Sequence, residues 1–170
     1  MVNELTTNIL GVVAVGIGAT AVMDIWAVVQ KSLLGVASLD YRMVGRWIGH
    51  LSQGRFRHDG IGKAAPVRNE ATTGWTAHYA IGIVYAGLLL AIWPGWLRDP
   101  TLLPAFIVGI GSIVVPFFIM QPGFGAGIAA SRTPRPWLSR FRSLVAHCSF
   151  AVGLIGSGVL ISRLFEFLRI

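Results

Sequence analysis

The sequence predicts an all-α integral membrane protein, a four-helix bundle with an amphipathic cytoplasmic helix between spans 1 and 2, built as one domain over residues 1–170. Three observations predict it. Apolar residues make up 54% of the chain and charged residues only 12%, where soluble domains carry about 25% charged residues. Mean hydropathy is +0.68. Four apolar stretches, about 9–29, 75–93, 102–120 and 144–165, each reach roughly 28–33 Å at ~1.5 Å per residue, enough for a ~30 Å hydrocarbon core.

The first stretch is longer than the apolar core of a secretory signal, and Glu4 is the only charge ahead of it, so it reads as a true span. Asp24 lies inside it. The connection that follows holds Lys31, Arg42, Arg46, Arg55, Arg57, Lys63 and Arg68. Within it Leu39, Met43, Val44, Trp47, Ile48 and Leu51 recur at helical spacing, with Arg42, Arg46 and His50 between them, which predicts an amphipathic helix on the cytoplasmic surface. Ala65-Pro66 reads as a break, and Thr72 or Thr73 as the N-cap of the second span. His50 and His58 fall in this connection, where solvation is the default expectation.

The second span carries His78, with Gly82, Tyr85 and Ala86 along the same face; Ala21, Thr20, Ile17 and Gly16 share the face of Asp24. Mostly small residues of this kind let membrane helices approach closely. The third span contains Pro116, which predicts a kink just before Phe117, Phe118, Met120 and Gln121. The fourth carries His147 and the small residues Gly153, Gly156, Ser157 and Gly158.

Basic residues set the orientation. Seven lie in the first connection and four (Arg132, Arg135, Arg140 and Arg142) in the third, against Arg98, Arg163 and Arg169 on the other side. The positive-inside rule then places connections one and three in the cytoplasm and both termini in the periplasm. The charge of +7 follows from this bias without nucleic acid, for which no motif is present. Cys148 is the single cysteine, which excludes an intrachain disulfide. Gly16-Ile17-Gly18 has no preceding strand and is no dinucleotide fingerprint, and neither a phosphate-binding P-loop nor a nucleophile elbow occurs.

The same orientation puts Asp24, His78 and His147 roughly 6–10 Å below the cytoplasmic face, with Gln121 closing the third span at that level. An aspartate near the centre of a span costs ~2.5–3.5 kcal/mol on insertion scales, so such residues face the bundle interior and pair with other polar groups. Asp24, His78, His147 and Gln121 are therefore candidates to hold a ligand or a proton. Asp24, His78 and His147, with Glu70 as a fourth donor, are also candidate ligands of a divalent metal, the one cofactor the residue types suggest. A polar cluster that merely satisfies burial fits the spacing as well. After the third span, Gly123 and Gly125 with Arg132 and Arg135 form a candidate anion site for a lipid headgroup or phosphorylated solute; a plain interfacial turn is the alternative.

Met23-Asp24, Gly45-Arg46-Trp47, Gly74-Trp75 with His78-Tyr79, Pro100-Thr101, Met120-Gln121-Pro122 and Ser131-Arg132-Thr133-Pro134 together resemble the bacterial membrane family catalogued as domain of unknown function 2938. The similarity covers nearly the whole chain. It implies a bacterial inner-membrane protein and brings no activity, substrate or cofactor. The reading is a multi-pass membrane protein that binds or translocates a small solute or ion at the Asp/His layer. Two alternatives stand beside it: a membrane enzyme acting on a lipid-phosphate with a histidine as general base, and an accessory membrane subunit. The partners implied are the lipid bilayer and a small solute, ion or lipid headgroup; no nucleic acid is implied, and an oligomer is compatible with the sequence.

Overall fold

The computed structural model describes residues 4–36 and 38–168. It is all-α, with no strand among the described residues. Helix α1 runs Glu4–Leu34, α2 Tyr41–Leu51, α3 Glu70–Ile92, α4 Leu102–Gly111, α5 Gln121–Phe124 and α6 Pro136–Leu168. Single 3-10 turns occupy Ile61–Lys63 and Ile128–Ala130, and a π-helical turn occupies Pro116–Met120. Four segments, Leu5–Leu34, Glu70–Ile92, Leu102–Phe124 and Pro136–Leu168, are long and apolar enough to cross a membrane. Arg169 lies outside the described residues.

Each span is longer than its apolar stretch because the helix continues past the hydrocarbon segment into its polar flanks. The third is different. Ordinary α-helix stops at Gly111, and Pro116, which has no N–H to donate, opens the wider π turn that leads into α5. The kink read from Pro116 is thus a break in helix type.

Helix α1 packs on α3 and α6, α4 packs on α6, and α2 lies against α3. Small residues set these crossings: a Cβ on Gly16 would meet the Ile83 backbone, one on Gly109 that of Ala151, and one on Gly153 that of Ala19. Val15, Ala19, Ala86, Leu89, Val108 and Leu154 fill the core, while Ile25, Val84, Leu102 and Leu160 are exposed on the outer faces, as expected where lipid is the solvent.

Three expectations need correction. Helix α3 begins at Glu70 after Asn69, which sits in the left-handed region at φ 60°, so neither Thr72 nor Thr73 is its cap. Helix α2 forms where expected, capped by the Asp40 side chain on the Arg42 N–H, but its buried face includes Arg46 and His50, while Leu51 is exposed. The reason is pairing. Arg46 lays its Nε and one terminal nitrogen on the two oxygens of Glu70, both at 2.8 Å, and turns the other toward the carbonyls of Ile61, Gly62 and Ala64. Last, His50 and His58 are buried rather than solvated, because the 55–65 segment folds back over α2.

Candidate functional site

Asp24 accepts hydrogen bonds from three rings. His78 Nε2 lies 3.0 Å from Oδ1, the Tyr41 hydroxyl 3.4 Å from the same oxygen, and the Tyr79 hydroxyl 3.0 Å from Oδ2. An ionised carboxylate only accepts, so His78 carries its proton on Nε2. Burial and then the charge of Asp24 push the Tyr41 phenol well above its ordinary range, which keeps its hydroxyl a donor. The Tyr41 ring stacks on His78 at 4.1 Å between centroids, so α2 completes the Asp24 shell from outside the spans.

Asp24 also forms part of the wall of a 680 Å³ cavity between α1, the start of α2, the π turn and α6. Gln121 and His147 line the same cavity, with Met23, Tyr41, Trp26, Trp75 and Met120 as its apolar and aromatic surface and Lys31 and Arg142 toward the ends of α1 and α6. His78 does not line it and reaches it only through Asp24. Gln121 Oε1 is buried and accepts no hydrogen bond among the described residues. His147 bonds to Ser112, its Nδ1 lying 2.6 Å from the hydroxyl oxygen, while that hydroxyl donates to the Gly109 carbonyl, also at 2.6 Å. The single hydroxyl proton being used there, Nδ1 of His147 is the donor and Nε2 is left as an acceptor.

Of the four residues predicted to share a layer, Asp24, Gln121 and His147 line one cavity, and His78 bonds to Asp24. The metal reading is not carried. Among the described residues no group of three His, Cys, Asp or Glu side chains comes together in a way that holds a metal ion. The physical reason is that His78 turns its Nε2 onto Asp24 and does not line the cavity, while Glu70 is closed on Arg46 and lies outside it. The glycine turn is placed differently from a cradle. A Cβ on Gly123 would strike the Trp47 ring and one on Gly125 the His58–Gly60 backbone, and the Gly125 and Ala126 N–H groups bond to Pro122 and Gln121. Gly123 and Gly125 thus serve close packing; Arg132 and Arg135 are exposed beyond them.

The family model described as "Protein of unknown function (DUF2938)" matches residues 13–161. The chain belongs to that family. No curated protein and no solved structure matches it.

In this DUF2938 chain the matched region contains every residue of the Asp24 shell and of the cavity wall. Sequence reasoning missed Tyr41, Tyr79 and Ser112. Tyr79 follows His78 directly, and neighbours on a helix point about 100° apart, so periodicity gives no hint that both reach one carboxylate. Tyr41 opens α2 immediately after its cap, and only the docking of α2 on α3 brings it to Asp24.

Proposed function

We propose that this membrane protein binds, and carries between the two sides of the bilayer, a small organic cation or amine with an apolar body. The observation that carries the reading is the Asp24 carboxylate set in the cavity wall among apolar and aromatic residues, with Lys31 and Arg142 toward the ends of α1 and α6. Asp24 keeps acceptor capacity on Oδ2, and His147, with Nδ1 turned to Ser112, has Nε2 left to accept. Both accept. A ligand rich in N–H donors satisfies them together, and the rings of Trp26, Tyr41 and Trp75 suit an apolar or cationic body beside them. The volume falls within the roughly 300–1,000 Å³ usual for small-molecule sites.

Carriage rather than storage is supported by the broken third span. Discontinuous helices and π turns lining a cavity are where transporters place solute, because the interrupted backbone is tolerated only beside protein or water. The test is a titration of tryptophan fluorescence in the purified protein with benzylamine and tetraethylammonium, set against benzoate and inorganic phosphate. The expected result is saturable change with the amine or ammonium ions. Saturation by the anions alone would overturn the assignment.

A further inference from the structure

Away from Asp24, two buried imidazoles form a chain closed at both ends by carbonyls. His50 and His58 are 3% and 7% exposed. His50 Nε2 lies 3.0 Å from the Ala65 oxygen, His50 Nδ1 lies 3.0 Å from His58 Nε2, and His58 Nδ1 lies 3.2 Å from the Gly123 oxygen. A carbonyl oxygen only accepts, so both outer nitrogens must carry hydrogen, and the inner contact needs one hydrogen between two nitrogens. Three protons are required on four nitrogens. Two neutral imidazoles bring only two.

We infer that His50 and His58 form a proton-binding site that holds one additional proton between the two rings and thereby clamps the 55–65 segment and α5 to α2. The charged groups on the surrounding elements leave that role to the pair. On α2, Arg46 is closed on Glu70 of α3; on the segment itself Arg55, Arg57, Asp59 and Lys63 are exposed; Arg68 ahead of α3 is exposed; and α5 contributes no charged side chain. Among the described residues no carboxylate bonds to either ring, so the proton is held by carbonyl dipoles and by the second imidazole.

Loss of the proton as pH rises leaves one of the three contacts without a hydrogen: either a nitrogen lone pair faces a carbonyl oxygen at one end, or the two inner nitrogens face each other. The Gly123 end is the weaker: its contact is longer, and its oxygen already accepts the His58 backbone N–H at 3.0 Å. Opening there releases the turn that carries Gln121 and Phe124, which both line the cavity. The clamp is thus closed with the proton bound and loosened without it, whatever the cavity takes.

The experiment is nitrogen NMR of histidine-labelled full-length protein in lipid nanodiscs between about pH 5 and pH 9, a range spanning ordinary imidazole titration, with hydrogen exchange followed over residues 56–60 and 121–125. The expected result is one proton lost by the pair, both rings shifting together, and exchange in those two segments rising about tenfold in step with it, the size of one charge-assisted hydrogen bond. Two neutral rings throughout, with the segments equally protected at all pH values, would overturn the inference. In His58→Gln the pH-dependent step in exchange should disappear while the spans stay helical. A step that persists there also contradicts it, and if that variant does not fold, the titration of the unaltered protein decides.

Discussion

Gly45 of α2 and Gly74 of α3 meet with no room for a side chain on either: a Cβ on Gly45 would fall on the Glu70 carbonyl, and one on Gly74 on the carbonyl of Tyr41. This contact lets α2 lie flat on α3 and brings Tyr41 to Asp24. Gly74→Val should lift α2 at a cost of about 1–3 kcal/mol, the usual range for overpacking. Hydrogen exchange should show α2 losing protection while the four spans keep theirs; equal protection of α2 in both proteins would refute the docking described.

The Arg46–Glu70 pair should not tolerate its nominally conservative replacement. Lysine is a point charge and cannot place two parallel bonds on a carboxylate while also reaching the carbonyls of residues 61–64. Arg46→Lys is expected to lower the melting temperature nearly as far as Arg46→Ala. Recovery of the original value by lysine would show that charge alone suffices.

Tyr79→Phe removes the hydroxyl bound to Asp24 Oδ2 and leaves the ring in place. The expected loss of unfolding stability is about 1–2 kcal/mol, between the value for hydrogen bonds to charged groups in water and the smaller values found inside membranes. An unchanged unfolding curve would mean that this bond does not help hold Asp24.

Orientation is open to direct measurement. In a Cys148→Ala background, a cysteine at Ser131 or Arg57 should resist a membrane-impermeant maleimide added to intact cells, and one at Asp99 should react. The reverse pattern would invert the bundle and move the cavity to the periplasmic side.

Much of the architecture was legible because a bilayer imposes length and apolarity on each span, and the basic connections mark their ends. Asp24, His78 and His147 stood out for the same reason: an ionisable group is costly in an apolar helix. What could not be read is which groups they meet. Periodicity places a residue on a face, but Tyr41 reaches Asp24 through a helix-docking contact between two glycines, and Ser112 reaches His147 from the end of α4. His50 and Arg46 looked like a solvated stripe because their partners, Ala65, His58 and Glu70, lie 8–24 residues further along the chain. The register of the π turn likewise has no period of its own in the sequence.

The proposed function rests on Asp24 and His147 facing one bound ligand, so the most direct measurement is the benzylamine titration repeated on Asp24→Asn and His147→Phe. Affinity should fall about tenfold or more in each, as expected when a charged or buried hydrogen-bonding partner is lost, while the helical content of the spans is kept. Affinity equal to that of the unaltered protein in both variants would place the ligand elsewhere and contradict the proposed site.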